Sequence, residues 1–63
     1  MPKTDITVRL VGEDGNAFVI IGNVSKALKR GGHEDLAKSF MKEAMSGDYD
    51  HVIQTAMEYV EVE

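Results

Sequence analysis

An amphipathic segment at 17–30, followed by two glycines, places the strongest limit on how this chain can fold. Its apolar residues fall on one stripe when successive positions are separated by about 100°, as in a helix that faces a core. That stripe consists of Ala17, Ile20, Ile21, Val24, Ala27 and Leu28. Gly31 and Gly32 supply the end of the helix, and either Asp14 or Asn16 supplies its N-cap. The pattern predicts a well-bounded helix over 17–30.

Two more segments with helical spacing follow. One extends from about Glu34 to Met45 and ends at Ser46-Gly47, and the other begins after an Asp48 cap. Their apolar positions are Leu36, Ala37, Phe40, Met41 and Ala44 in the first, and Tyr49, Val52, Ile53, Ala56, Met57 and Val60 in the second. Both segments therefore predict helices with one face in the core.

The two ends of the chain alternate between apolar and polar residues, which is typical of half-buried strands. Residues 5–11 predict a first strand and residues 59–63 a second. An antiparallel pairing satisfies both faces, and its pairs are Leu10 with Val60, Val8 with Val62 and Arg9 with Glu61. In the alternative, the third helix continues and residues 59–63 fray. The fold class expected is α+β, in the order β-α-α-α-β, with a short two-stranded antiparallel sheet packed on three helices.

Length and composition limit the class of protein. With 63 residues, 43% of them hydrophobic, the chain predicts a single domain over 1–63. It has no cysteine, no apolar stretch of signal-peptide length and no apolar run long enough to cross a bilayer, so we expect a cytoplasmic protein without a membrane partner. The net charge of -4 disfavours indiscriminate binding to nucleic acid.

Residues that could carry chemistry have simpler structural explanations. The run GEDGN lacks the further ligands of a calcium loop and fits a capping turn, and its spacing matches no phosphate-binding loop. His51 lies close to Asp48 and Asp50, but these acids suit a helix start, and His33 lies beside a glycine pair. We therefore predict a protein that is not an enzyme, with no catalytic residue, no metal site and no cofactor.

The first turns of the helix at 17–30 are apolar nearly all round. Phe18 and Val19 lie outside the core stripe, and Gly22 follows one turn later, where glycine costs about 1 kcal/mol relative to alanine. Close approach of another helix would explain that glycine, and either a second copy or another element of the same chain could supply it. We expect a non-enzymatic interaction module whose interface includes Phe18, Val19 and Gly22, and we favour a homodimer over binding to another protein.

Five basic residues on two consecutive helices suggest an alternative function. These residues are Lys26, Lys29, Arg30, Lys38 and Lys42. A helix, a glycine turn and a second helix are also the parts of a helix-turn-helix, so the alternative is a small nucleic-acid-binding regulator. Phe40, the one aromatic residue among these basic residues, belongs to the predicted core face and is not placed to stack on bases, and cations near the end of a helix commonly complement its dipole.

Two long runs, VRLVGEDGNAFVIIGNVSKALKR and EAMSGDYDHVIQTAMEYVEVE, cover most of the chain. With their GEDGNAF and SGDYD segments, they resemble small bacterial and phage-type proteins of uncharacterised function. The resemblance implies a possible phage or mobile-element context. It implies no activity, ligand or partner, and no functional residue can be carried over from it.

Overall fold

The computed structural model describes residues 2–9 and 16–63 of the chain. Its elements follow in the order β1, α1, α2, α3 and β2, and their bounds are Thr7–Val8, Ala17–Arg30, Glu34–Ala44, Tyr49–Tyr59 and Glu61–Val62. The fold is a small α+β domain dominated by its three helices, as the sequence predicts in outline. The strands are shorter than predicted, and the two form one sheet.

Helix α1 begins and ends where the sequence predicts. The Asn16 side chain accepts a hydrogen bond from the backbone N–H of Phe18 at 2.9 Å, which makes Asn16 the N-cap. Asp14, the other predicted cap, lies outside the described residues. At the other end, Gly32 has a φ of +84°, and the N–H of His33 donates to the carbonyl of Leu28 at 2.8 Å. These are features of a Schellman ending, which needs a residue that tolerates positive φ.

Helices α2 and α3 are joined by a turn whose polar groups satisfy both helix ends. Asp48 caps α3 by accepting from the N–H of His51 at 3.0 Å, as predicted. The carbonyl of Glu43, in the last turn of α2, accepts from the Ser46 hydroxyl at 2.7 Å and from Nε2 of His51 at 2.9 Å. The His51 ring lies so close to Gly47 that a Cβ there would come within 2.6 Å of it. The structure thus gives His51 a role in ending α2.

The predicted antiparallel pairing of the strands is wrong, because β1 and β2 are parallel. Val8 does lie opposite Val62, but Glu61 faces Thr7 and not Arg9. Leu10, the predicted partner of Val60, lies outside the described residues.

The physical reason for the parallel direction is found at the end of α3. The N–H groups of Lys3 and Thr4 donate to the carbonyls of Glu58 and Tyr59 at 2.9 and 3.1 Å, which are carbonyls that a helix end leaves without partners. The segment that begins at Lys3 therefore runs beside the end of α3 and enters β1 in the same direction as the chain that leaves α3 and enters β2. Side-chain compatibility could not reveal this, because Val8 and Val62 are neighbours in either direction.

The alternative in which α3 continues to the end of the chain is also wrong. Val60 adopts extended backbone angles, φ −137° and ψ 162°, and β2 follows directly. Val60 is itself fully buried, so the departure from the helix keeps an apolar side chain in the core.

The core is one cluster to which β1 and all three helices contribute. Its buried apolar members are Val8, Ile20, Ile21, Val24, Leu28, Ala37, Phe40, Ala44, Val52, Ala56, Tyr59 and Val60. Of the predicted core positions, Tyr49 and Met57 are exposed instead, because the buried face of α3 includes Thr55 and Tyr59 and is therefore rotated relative to the predicted stripe. Within residues 2–9 and 16–63, no helix combines the length and apolar character needed to span a membrane.

Candidate functional site

Of the three residues predicted as an interface, two lie exposed on the outer side of α1 and one is partly covered. Phe18 is 73% exposed, Val19 is half-buried and Gly22 is exposed. A Cβ built at Gly22 would meet no atom of the described residues within 4 Å. Among residues 2–9 and 16–63, no element approaches Gly22 closely, so none of them supplies the intrachain contact that would explain this glycine.

Phe18 also borders an apolar pocket that the sequence does not reveal. The pocket has a volume of about 290 Å³ and is lined by Ala17, Phe18, Ile21, Ala44, Met45, Gly47 and Val52. It lies between the first turns of α1 and the α2–α3 turn. Met45 is 56% exposed, so two large apolar side chains stand at one opening. We call Phe18, Met45 and this pocket the Phe18 surface.

Met45 and Gly47 are the members of the Phe18 surface that sequence reasoning missed. Met45 follows Ala44, the last helical residue of α2, and serves as its C-cap. Met45 directly follows Ala44, the last core position of α2, so it lies outside the core stripe, and that was the available signal. The role of Gly47 depends on the His51 ring that covers it, which no spacing rule predicts.

The five basic residues of the alternative function do not line one groove together. Lys26 and Arg30 line a groove of about 570 Å³ together with Ile6, Asn23, Ala27 and Gly31. Lys29, Lys38 and Lys42 are exposed, and none of them contributes to the described lining of that groove. The structure therefore brings two of the five predicted contacts together and leaves the other three elsewhere on the surface.

The side chains of His51 and Ser25 could in principle take part in chemistry, but both are enclosed or held by the fold. Nε2 of His51 lies within 3.3 Å of the Ser46 hydroxyl as well as contacting the Glu43 carbonyl, and its ring packs on Gly47. The Ser25 hydroxyl is buried and has no hydrogen-bond partner among the described residues. Among those residues there is also no group of three or more His, Asp or Glu side chains that could hold a metal ion.

No family model matches the sequence, and no curated protein or solved structure is similar enough to count as a match. The resemblance to small bacterial and phage-type proteins stays a prediction. Function must therefore be argued from the surfaces themselves.

Proposed function

We propose that this protein is a non-enzymatic interaction module that binds a second copy of itself, or another protein, through the Phe18 surface. The observation that carries the proposal is the 73% exposure of Phe18 beside an apolar pocket. Burying a phenylalanine side chain is worth about 1.5–3 kcal/mol, and aromatic side chains that enter pockets are typical anchors of protein–protein contacts. An exposed anchor next to a receiving pocket suits a two-fold contact, in which each copy offers both.

The glycine at position 22 also indicates a contact with a partner on the side of α1 that bears Phe18. Glycine inside a helix is less favourable than alanine by about 1 kcal/mol, and the open space around Gly22 means that packing within the described chain does not require it. A position without a side chain lets the backbone of a partner helix approach closely. Gly22 and Phe18 are four residues apart on one helix and therefore lie on neighbouring parts of its surface.

The test compares the mass in solution of the wild type, Phe18→Ser and Met57→Ser over a range of concentrations, measured by light scattering. Met57 is a matched control because it is 56% exposed on α3 but does not line the pocket. We expect the wild type and Met57→Ser to form dimers and Phe18→Ser to stay monomeric at the same concentrations. Equal masses for Phe18→Ser and the wild type would contradict the role of Phe18 in self-association.

Gly22→Leu provides an independent test. Because a side chain at position 22 meets open space, we expect the variant to fold with unchanged circular dichroism. We also expect it to lose the dimeric mass, since leucine would hold a partner helix away. A variant that keeps both its fold and its dimer would show that Gly22 makes no close contact.

The alternative function, a small nucleic-acid-binding regulator, calls for a continuous basic face. Two of its five residues share a groove, and the other three do not line it. We therefore treat nucleic-acid binding as one of the outcomes that the following experiment distinguishes.

A further inference from the structure

A second surface lies at the other end of α1, where the chain before β1 meets the last turns of the helix. We call it the basic groove, and its lining consists of Ile6, Asn23, Lys26, Ala27, Arg30 and Gly31. Ile6 and Ala27 are half-buried and pack against the core, so they form an aliphatic floor. Ile6 can lie there because Gly31 has no Cβ, which would otherwise come within 2.5 Å of Cδ1 of Ile6.

The polar residues of the basic groove follow one side of α1. Asn23, Lys26 and Arg30 are spaced i, i+3 and i+7, which places them on one face of a helix. Lys26 and Arg30 are both exposed and are separated by four residues, or about 6 Å along the helix axis. In an extended chain, alternate residues point to the same side and are separated by about 6.6 Å. Two carboxylates at alternate positions of such a chain therefore match the two cations.

We infer that the basic groove binds an extended acidic segment of a partner protein, in which acidic and apolar side chains alternate. The carboxylates pair with Lys26 and Arg30, and the Asn23 amide is placed to hydrogen-bond with the backbone of the segment. The apolar side chains, which point to the opposite side of an extended segment, contact Ile6. This inference is independent of the proposed function, because it depends on different residues at the opposite end of α1.

Charge complementarity indicates that the segment bound in the groove is negatively charged. The chain carries 11 acidic and 7 basic residues, yet both charged residues in the described lining of the groove are basic. A short acidic segment meets this local charge, whereas a long polyanion also meets the repulsion of the net charge of -4. The described lining offers no aromatic ring on which a base could stack. A protein segment therefore fits better than a nucleic acid.

The experiment measures fluorescence anisotropy of a labelled synthetic peptide of three Glu-Val repeats, titrated with the whole protein at low and at physiological salt. A peptide of three Gln-Val repeats controls for the apolar contacts, and a labelled single-stranded oligonucleotide is titrated in the same way. The protein variants are the double variant Lys26→Gln/Arg30→Gln and the matched double variant Lys38→Gln/Lys42→Gln, which changes the net charge equally at exposed positions of α2. Circular dichroism during thermal unfolding checks that both double variants fold as the wild type does.

We expect the Glu-Val peptide to bind more tightly than the Gln-Val peptide by about tenfold, since partly exposed ion pairs contribute modestly. Lys26→Gln/Arg30→Gln should remove that difference, while Lys38→Gln/Lys42→Gln should leave it within about twofold. An equal loss in both double variants would overturn the inference, because it would show a general effect of charge. Tighter binding of a single-stranded oligonucleotide than of the Glu-Val peptide would also overturn it, in favour of the regulator. If the Glu-Val peptide does not bind at low salt, the inference is also overturned.

Discussion

The two phenylalanines of this chain lie in opposite environments, although both belong to amphipathic helices. Phe40 is fully buried, and its ring meets that of Tyr59 edge-on, with 5.5 Å between the ring centroids. Phe18 is 73% exposed beside its pocket. Phe40 is at the centre of the α2 stripe, whereas Phe18 lies on the flank of α1, so the helix turns it away from the core. The contrast separates an aromatic residue that stabilises the fold from one that is available to a partner.

The strongest test of this contrast replaces each phenylalanine with alanine. Phe40→Ala should lower the free energy of unfolding by about 3–5 kcal/mol, because it leaves a cavity in a small core. Phe18→Ala should change the stability of the monomer by no more than about 0.5 kcal/mol. Urea unfolding followed by circular dichroism, at concentrations where the protein is monomeric, measures both. Similar losses in the two variants would mean that Phe18 belongs to the core.

Gly22, within α1, and Gly31, its C-cap, sharpen the comparison. Replacing each with alanine should change the stability of the monomer in opposite directions. Gly31→Ala should destabilise the monomer by about 1–3 kcal/mol, since its Cβ would overlap with Cδ1 of Ile6. Gly22→Ala should stabilise the monomer by about 0.5–1 kcal/mol, because the helix gains propensity and the new methyl group meets no neighbour among residues 2–9 and 16–63.

The background Ile6→Val supplies the control for Gly31, because it removes the Cδ1 methyl group that the new Cβ would meet. In a double-mutant cycle followed by urea unfolding, Gly31→Ala should cost much less in this background than in the wild type. An unchanged cost would show that the contact with Ile6 is not the reason for glycine at position 31. A Gly22→Ala variant less stable than the wild type as a monomer would reveal an intrachain contact at Gly22.

The smallest effect concerns Tyr59, at the edge of the core. Burial raises its pKa above 10.0, and so do its hydrogen bond to Glu43 and the nearby charges of Glu43 and Glu58. Because the pKa of Tyr59 is higher in the folded state, its protonated hydroxyl adds to the free energy of unfolding. That added stability is fully present below the pKa of the unfolded chain, near 10.0, and is lost as the pH rises through the pKa of the folded state. Tyr59→Phe should therefore weaken the loss of stability above pH about 10.

Thermal unfolding at pH values from 8 to 11 measures this effect, and Tyr49→Phe, at the more exposed tyrosine, is the matched control. The control should keep the alkaline decline of the wild type. If Tyr59→Phe declines as steeply as the wild type, then other groups must cause the alkaline loss.

The helices were predictable because their signals are local. Asn16 and Asp48 are caps that act within three residues, and the turn at Gly32 needs only a residue that accepts positive φ. The Phe18 surface was predictable in part for the same reason, since the position of Phe18 outside the α1 stripe can be read from the spacing. Its pocket was not predictable, because Met45 and Gly47 reach it from the α2–α3 turn.

The sequence by itself determined the three helices, the Asp48 cap, most of the core stripes and the outward position of Phe18 and Gly22, because each depends on neighbours within a few residues. Only the tertiary structure decided the parallel direction of the strands, since it follows from the hydrogen bonds of Lys3 and Thr4 to the end of α3, more than 50 residues away. It alone also joined Ile6 to Lys26 and Arg30 in the basic groove. Contacts between distant segments depend on how helices pack, and periodicity within one segment carries no information about that packing.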